Sequence, residues 1–231
     1  AIVGTGGMAN SHARAFQRMP GCLLVAACDV VWAKARSFAR RYGIPALYRD
    51  VEEMLDDVAV DAVANVTSDG AHCPVSLAAI RRGKHVLCEK PLAVDYPEAR
   101  KMAAAANKQG VINMVNLSYR NAPAIHRARA LVNDGAIGRV MHLEASYLQS
   151  WLSSTYWGDW RKGSGWLWRL SKAHGSRGVL GDLGVHILDF ASYAAGDIKR
   201  VNCRLKTFPE VKGSRCRGYT LDACDSAVIE V

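Results

Sequence analysis

The first nine residues of the chain constrain its fold more than any other stretch. A short apolar run leads directly into a Gly4-x-Gly6-x-x-Ala9 pattern, and residues 10–19 then form a pattern that can be helical. A second apolar run follows and ends at Asp29. A strand, a glycine turn, a helix, a second strand and an acid, in this order, are typical of a dinucleotide-binding unit.

Each position in this stretch has a physical role in binding a dinucleotide. Gly4 permits the tight turn, Gly6 has no Cβ and lets a pyrophosphate approach the backbone, and Ala9 allows close helix–strand packing. The helix N-terminus offers N–H groups and a partial positive charge to the phosphates. Asp29 can accept hydrogen bonds from ribose hydroxyls. An ordinary glycine turn of an α/β protein is the alternative interpretation.

The residues around Asp29 favour NAD over NADP. An acid at this position suits a free 2′-hydroxyl and repels a 2′-phosphate. Val30 and Val31 follow it, and neither can bind a phosphate through its side chain. Lys34 and Arg36 are close enough in sequence to leave NADP open.

Strand and helix patterns alternate through the first half of the chain. Beyond Asp29 we predict helices over residues 33–41, 72–82 and 96–108, with Gly43 and Gly110 ending the first and the last of them, and a further helix that opens with a capping box at Asp50-x-x-Glu53. We predict strands over residues 46–48, 60–66, 85–88 and 112–115, with a loop over residues 67–70. Such alternation with short connections predicts a doubly wound parallel sheet, a Rossmann fold of the α/β class. The glycine turn, Asp29, the loop at Thr67 and Lys90 all follow strands, so we expect them to converge on one crevice.

The second half has a different pattern and predicts an α+β domain. We expect helices over residues 123–134 and 179–195, and strands over residues 140–147, 201–205 and 227–231. Residues 148–178 form a long irregular segment rich in Trp, Gly and Ser. We place the domains at residues 1–118 and 119–231. Both ends of the chain read as strands, so we expect further residues before and after them.

Composition excludes several classes of function. The net charge is +9, but Lys and Arg are scattered and no basic run is interleaved with aromatics, which argues against nucleic-acid binding. No apolar run is long enough to span a membrane. Seven cysteines occur without a Cys-x-x-Cys pair, which favours reduced thiols in the cytoplasm and gives little support to a metal site.

Three polar residues could carry chemistry. Lys90 lies between Glu89 and Pro91 at a strand end, where an ammonium could stabilise an alkoxide as hydride leaves. Asp182 and His186 are four residues apart and share one face of a helix. A neutral imidazole could accept the proton of a hydroxyl under oxidation. A solvated lysine, a helix-start acid and a satisfied core histidine are the alternatives.

Five tryptophans lie in the irregular segment: Trp151, Trp157, Trp160, Trp166 and Trp168. Aromatic rings pack well against the C–H faces of sugars, so this segment could line a polyol pocket. Aromatic residues also anchor subunit interfaces, and Trp is commonly buried by plain packing. The sequence leaves these three interpretations open.

Together these motifs resemble the glucose–fructose oxidoreductase / inositol dehydrogenase / rhizopine-catabolism (Gfo/Idh/MocA) family. The resemblance covers essentially the whole chain. It rests on the following motifs, in chain order: Gly4-x-Gly6-x-x-Ala9, residues 67–72, Glu89-Lys90-Pro91, Arg120-x-x-Pro123, and Asp182-x-Gly184-x-His186 followed by Asp189. The loop departs from the family, since Thr67-Ser68-Asp69 stands where Thr-Pro-Asn is usual.

The resemblance implies a fold, an activity and a set of site residues. It implies a C-terminal domain with a large open, mostly antiparallel sheet, incomplete in this chain, which often forms the interface of a homodimer or homotetramer. It also implies NAD(P)-dependent oxidation of a sugar or an inositol-like polyol. The expected catalytic residues are Lys90, Asp182 and His186. The expected cofactor-binding residues are Gly4, Gly6, Gly7, Met8, Ala9, Asp29, Thr67, His72, Glu89 and Lys90. The expected substrate-binding residues are Lys90, Arg120, Tyr147, Trp160, Asp182 and His186.

Two other functions remain open on the same fold. One is a non-catalytic regulator that binds the dinucleotide and a protein partner, although the joint presence of Lys90, Asp182 and His186 argues against it. The other is a reductase of a non-sugar carbonyl or a tetrapyrrole, which would need a different pocket.

Overall fold

A computed structural model describes residues 1–163, 165–208 and 215–231. The chain divides into two compact units, Ala1–Asn116 and Leu117–Val231.

The first unit contains a six-stranded parallel sheet, as the sequence predicts. Its strands in chain order are β1 (Ile2–Val3), β2 (Ala26–Cys28), β3 (Ala46–Tyr48), β4 (Ala62–Asn65), β5 (His85–Cys88) and β6 (Asn113–Val115). In space the order is β3-β2-β1-β4-β5-β6. The chain therefore runs outward from β1 in one direction and then returns to continue from β4 in the other. This reversal between β1 and β4 is the switch point at which doubly wound sheets bind ligands.

Helices connect these strands, and several of them begin or end at residues with recognisable capping chemistry. They are α1 (Ala9–Arg18), α2 (Trp32–Tyr42), α3 (Val51–Asp57), α4 (Asp69–Arg81) and α5 (Tyr96–Gln109). Gly43 and Gly110 end α2 and α5 in the left-handed conformation. The carboxylate of Asp50 caps α3 by accepting the Glu53 N–H at 2.9 Å, as expected for Asp50-x-x-Glu53.

Helix α4 begins three residues earlier than the sequence predicts. Asp69 and Gly70 were assigned to a loop, but both lie in the first turn of the helix, and Ser68 occupies the N-cap position. An acid in the first turn interacts favourably with the helix dipole, which offsets the turn preference of Asp-Gly. The loop after β4 is therefore short and brings Thr67 close to the helix start.

The sheet buries apolar side chains on both faces. Ile2 packs with Phe38 and Tyr42 of α2 on one face, whereas its neighbour Val3 packs with Leu77 of α4 on the other. Successive strand residues point to opposite faces. Burial on both faces explains why the strands read as continuous apolar runs.

The second unit contains two longer helices and short antiparallel strands. Helix α6 spans Pro123–Asn133, and α7 spans Val185–Ala195 after one π-helical turn at Leu180–Gly184. The strands are β7 (Asn202–Lys206), β8 (Arg215–Cys216), β9 (Tyr219–Thr220) and β10 (Ser226–Glu230). Within the described ranges, β7 pairs with β10 and β8 with β9, both antiparallel. The mixture of helices and antiparallel strand pairs agrees with the predicted fold class.

The strand predicted over residues 140–147 is wrong. These residues have the alternating pattern of a strand, but the structure assigns them no regular secondary structure. A strand is stabilised by a hydrogen-bond ladder to a neighbour, and no strand described in the structure pairs with this segment. The alternating pattern of residues 140–147 was therefore not sufficient to predict a strand.

Apolar packing in the second unit is concentrated in a small cluster. Leu167, Leu170 and Leu221 are buried with Trp160, whose indole N–H donates to the Leu152 carbonyl at 3.1 Å. Sequence reasoning expected Trp160 to contact substrate, but the structure places its ring in this core. Plain packing, one of the three interpretations of the tryptophan-rich segment, therefore describes Trp160.

The described residues contain neither a membrane-spanning helix nor a cluster of metal ligands. None of their helices is both long and apolar enough to cross a bilayer. Their His, Cys, Asp and Glu side chains form no group of three or more that could hold a metal ion. All seven cysteines are free thiols.

Candidate functional site

Two glycines of the turn after β1 differ in the space around them. Gly4 has φ +86°, and a Cβ there would lie 2.5 Å from the Val66 carbonyl oxygen. A Cβ on Gly6 would meet nothing within 4 Å. Packing thus explains Gly4, whereas the free space at Gly6 fits the close approach of a pyrophosphate.

The loop beyond the turn is held against the start of α1. The side-chain amide of Asn10 donates to the carbonyls of Gly6 and Gly7, at 3.2 Å and 3.1 Å. Met8 is the exposed N-cap residue, and Ala9 is fully buried. The first turn of α1 therefore directs its N–H groups towards the loop, where an anion can bind.

The carboxylate of Asp29 joins the ends of β1 and β2. Its Oδ2 accepts two hydrogen bonds from Thr5, from the backbone N–H and from the hydroxyl, each at 2.8 Å. Its Oδ1 accepts the Val31 N–H at 2.8 Å. A carboxylate accepts about four hydrogen bonds, so about one acceptor position remains for a ribose hydroxyl.

The loop after β4 is organised by a buried asparagine that sequence reasoning missed. Asn65 accepts the Thr67 hydroxyl at 2.7 Å and donates to the His72 carbonyl and the Ser76 hydroxyl, each at 3.0 Å. The sequence signal for its role was its position, since Asn65 is a polar residue at the end of the apolar strand β4. Asn65 therefore connects Thr67 to helix α4.

His72 is almost fully buried, with 1% of its surface exposed. Its Nδ1 lies 2.6 Å from the Pro91 carbonyl oxygen, and its Nε2 lies 3.2 Å from the Thr67 carbonyl oxygen. Carbonyl oxygens only accept, so the shorter contact indicates the tautomer that is protonated at Nδ1. The ring thus bridges two loops at the carboxyl edge of the sheet.

Glu89 is the centre of a second buried network. Its Oε1 lies 2.7 Å from His12 Nε2 and accepts the Asn116 amide at 2.7 Å, while Oε2 accepts the Lys90 N–H at 3.1 Å. Burial opposes ionisation of this carboxyl, but the bonds from His12, Asn116 and Lys90 outweigh it and lower the pKa of Glu89. His12 and Asn116 were missed, since neither belongs to a recognised motif.

Lys90 is half-buried directly beyond β5, next to β4 in the sheet. The turn of Gly4 follows β1, Asp29 follows β2 and Thr67 follows β4. Because β2, β1, β4 and β5 are neighbours, these residues share one edge of the sheet, as the sequence predicts. The edge can therefore hold an extended dinucleotide with Lys90 at one end.

In the second unit, His186 lies buried in the first turn of α7 against an aromatic residue. Its ring centroid is 4.2 Å from that of Tyr119. The Tyr119 hydroxyl lies 2.6 Å from that of Tyr147, to which Gln149 donates at 3.0 Å. The bond to Tyr147, with burial and nearby negative charge, raises the pKa of Tyr119 to about 12. Tyr119 is a further residue that sequence reasoning missed.

Asp182 lies in the π-helical turn before α7. Its Oδ2 accepts a hydrogen bond from Arg169 Nε at 3.1 Å. The Arg169 guanidinium carbon lies 4.8 Å from the ring centroid of Trp166 and 4.6 Å from that of Trp168. The tryptophan-rich segment thus contributes to the site by holding an arginine against Asp182.

Arg120 forms a two-pronged pair with the carboxylate of Asp189 and lies over the Tyr193 ring. The hydrogen bonds to Asp189 raise the pKa of Arg120. The structure therefore gives Arg120 partners on helix α7, and its predicted contact with substrate remains a prediction.

Comparisons with known proteins agree with both units. Residues 1–117 match the family described as "Oxidoreductase family, NAD-binding Rossmann fold", and residues 125–229 match the GFO/IDH/MocA C-terminal domain. Levoglucosan dehydrogenase of Pseudarthrobacter phenanthrenivorans is 33% identical over 215 residues, which cover 90% of this chain and 53% of the relative. D-apiose dehydrogenase of Paraburkholderia graminis is 32% identical over 201 residues, which cover 87% and 50%.

Solved structures give the same result. The structure of levoglucosan dehydrogenase in complex with NADH and levoglucosan has a TM-score of 0.87 at 28% sequence identity. The match covers 99% of this chain and 61% of that structure. The chain spans about half the length of the curated relatives it matches.

Proposed function

The chain belongs to the Gfo/Idh/MocA oxidoreductase family, and from this premise we propose that the protein oxidises a hydroxyl of a sugar or cyclic polyol with NAD. The observation that carries the proposal is the carboxyl edge of the parallel sheet. At this edge Gly6 leaves open space, and hydrogen bonds from backbone N–H groups fix Asp29. Lys90 follows β5, which lies next to β4 of the switch point.

Three residues of this chain have different roles in the proposed oxidation. NAD, when bound, supplies the acceptor for the hydride that leaves the substrate carbon. The ammonium of Lys90 donates a hydrogen bond to the substrate oxygen and stabilises its developing negative charge. His186 accepts the hydroxyl proton as a general base, and Asp182 orients the substrate or the imidazole. The product is the corresponding carbonyl compound.

NAD is the proposed cofactor because of the surroundings of Asp29. Three hydrogen bonds from backbone and hydroxyl groups hold its carboxylate in place. A fixed negative charge at the end of β2 favours a ribose with free hydroxyls and opposes a 2′-phosphate. The exposed Lys34 and Arg36 are the residues through which NADP could still bind.

The proposed substrate class is based on two relatives, which are named for levoglucosan and D-apiose. Both are sugars or sugar derivatives. We therefore propose a sugar as the first class to test, with inositols as the second. Free thiols in both units support a cytoplasmic location, and we propose a homodimer or homotetramer, which light scattering can test.

The test uses the complete protein with NAD and, separately, NADP. A panel of aldoses, anhydrosugars, inositols and aldonic acids is added, and the absorbance of reduced nicotinamide is followed. Reduction of NAD by one group of these compounds supports the proposal. If the protein binds NADH but no member of the panel reduces NAD, the result contradicts the proposal. It then favours a non-catalytic regulator or an enzyme with a non-sugar substrate.

A lysine pair provides the matched control. Lys90→Met is expected to lower kcat by about 100- to 1,000-fold, as for the loss of one oxyanion donor. Lys101→Met, in the exposed part of α5, removes the same charge away from the strand ends and should leave kcat unchanged. Equal activity of the two variants would remove Lys90 from the mechanism.

A further inference from the structure

We propose that two buried histidines, His12 and His72, are positioning residues that hold the segment Glu89-Lys90-Pro91 from its two sides. Each contacts a residue next to Lys90, and neither is assigned a contact with substrate. The inference rests on the proposed function, in which Lys90 stabilises the substrate oxygen.

The contact on the Glu89 side comes from helix α1. His12 is 8% exposed and Glu89 is 7% exposed, and 2.7 Å separates His12 Nε2 from Glu89 Oε1. The lowered pKa of Glu89 keeps this carboxyl ionised, so Nε2 must be the donor. The other carboxylate oxygen accepts the backbone N–H of Lys90 at 3.1 Å. A single carboxylate thus connects the imidazole to the Lys90 backbone.

The contact on the Pro91 side comes from helix α4. His72 Nδ1 lies 2.6 Å from the Pro91 carbonyl oxygen, and the ring is enclosed. The carbonyl of His72 in turn accepts a hydrogen bond from Asn65 at the end of β4. Pro91 is therefore fixed to the neighbouring strand of the sheet through a side chain that cannot move without displacing the core.

These two contacts give Lys90 a fixed backbone on both sides. His12 lies in the first turn of α1, three residues beyond Ala9, so the helix whose N-terminus lies at the glycine turn also holds Glu89. Displacement of the glycine turn would be transmitted to Lys90 through His12 and Glu89. This connection keeps the phosphate-binding turn and the Lys90 backbone at a constant separation, which the alignment of substrate and nicotinamide requires.

A buried histidine that only fills space would affect stability alone, and three substitutions separate the two roles. His12→Phe keeps an aromatic ring but removes the donor to Glu89. His12→Gln restores a donor near the position of Nε2. His85→Phe serves as the control, since His85 is exposed at the opposite end of β5.

The first measurement is steady-state kinetics of the complete protein at a temperature at which all variants are folded. His12→Phe should lower kcat by about 100-fold, the cost of displacing a reacting group by about 1 Å, with a smaller change in KM. His12→Gln should recover to within about tenfold of the wild type, and His85→Phe should match the wild type. A kcat that His12→Phe leaves unchanged, with only the thermal midpoint lowered, would overturn the positioning role.

The second measurement does not depend on turnover. Hydrogen exchange of the Lys90 amide, which donates to Glu89 Oε2, should be faster in His12→Phe than in the wild type and near normal in His12→Gln. If the Lys90 amide exchanges at the wild-type rate in His12→Phe, the inference is overturned, whatever the activity of that variant. If no sugar is oxidised by the wild type, the proposed function fails while this exchange result still decides the role of His12.

Two further variants cover the case in which His12→Phe does not fold. Asn116→Leu removes the other donor to Glu89 Oε1, and His72→Phe removes the donor to Pro91. Both should lower kcat in the same manner as His12→Phe and speed exchange of the Lys90 amide. Wild-type kcat and exchange in both would contradict the inference.

Discussion

The two units hold their candidate functional residues by different kinds of contact. In the first unit, Asp29 and Glu89 accept hydrogen bonds from backbone N–H groups as well as side chains. In the second unit, Asp182 and Asp189 are held by arginine side chains that lie on aromatic rings. Backbone partners are fixed as soon as the sheet forms, whereas side-chain partners depend on their own rotamers. Substitution of Asp29 should therefore affect folding and cofactor binding together, whereas substitution of Asp182 should lower turnover with less effect on either.

The largest expected effect is on turnover and comes from the second unit. His186→Ala removes the proposed general base and should lower kcat by about 100- to 10,000-fold. NADH affinity should not change, which a fluorescence titration of the purified variant checks. His126→Ala, on α6 of the same unit, is the control. A loss of NADH affinity as large as the loss of kcat would break the distinction between the units.

The next effect is on stability and comes from the glycine turn of the first unit. Gly4→Ala places a Cβ 2.5 Å from the Val66 carbonyl at φ +86°, and should lower the free energy of unfolding by about 3 kcal/mol. Gly6→Ala meets no atom within 4 Å, so its free energy of unfolding should change by less than about 0.5 kcal/mol.

Gly6→Ala is also expected to affect cofactor binding. Gly6→Ala should weaken NADH binding at least about tenfold, or about 1.4 kcal/mol, because its Cβ occupies space left for the pyrophosphate. Denaturant unfolding and NADH titration of both variants give the two quantities. Wild-type NADH affinity in Gly6→Ala would mean that the open space at Gly6 serves no ligand.

The first unit was largely predictable because local chemistry determines it. Apolar runs, the capping of α3 by Asp50 and the terminal glycines at positions 43 and 110 each report on neighbouring residues. The edge at which Asp29 and Lys90 lie then follows from the parallel order of the strands. His12 and Asn116 could not be assigned in this way, because their partner Glu89 lies 77 and 27 residues away in the sequence. Asn65 was missed although its partners lie within 11 residues.

The second unit was less predictable because several of its contacts join residues far apart in the sequence, such as Arg120 and Asp189, which are 69 residues apart. Residues 140–147 show the pattern of a strand but pair with no strand in the described part of the chain. Trp160 could be assigned to a core only once the positions of Leu167 and Leu221 were known. The pairing of Asp182 with Arg169 joins a helical motif to the irregular segment, and no local signal predicts it.

A smaller effect on stability is expected at Arg120. Its side chain is 45% exposed, but that of its partner Asp189 is only 7% exposed. Arg120→Met should leave this carboxylate without its guanidinium and lower the free energy of unfolding by about 2 kcal/mol, with little change in KM. Asp189→Asn in the Arg120→Met background should recover part of the loss. A raised KM with unchanged stability would instead support the predicted contact of Arg120 with substrate.

The smallest effect is on the ionisation of a tyrosine and compares one hydroxyl from each unit. The bond to Tyr147 raises the pKa of Tyr119 to about 12, and the bond to Asp57 raises the pKa of Tyr48 to about 12. A raised pKa means that folding favours the protonated hydroxyl, so this stabilisation is complete below pH 10.0, the ordinary value, and is lost as the pH rises to about 12.

Tyr147→Phe should therefore lower the pKa of Tyr119 towards 10.0 and leave that of Tyr48 unchanged. The ultraviolet absorbance of tyrosinate, followed against pH, measures both, with Tyr119→Phe and Tyr48→Phe identifying each transition. A shift of both tyrosines in Tyr147→Phe would mean that the units unfold together at high pH. A shift of Tyr119 alone would show that a side-chain partner in the second unit can be removed without disturbing the first.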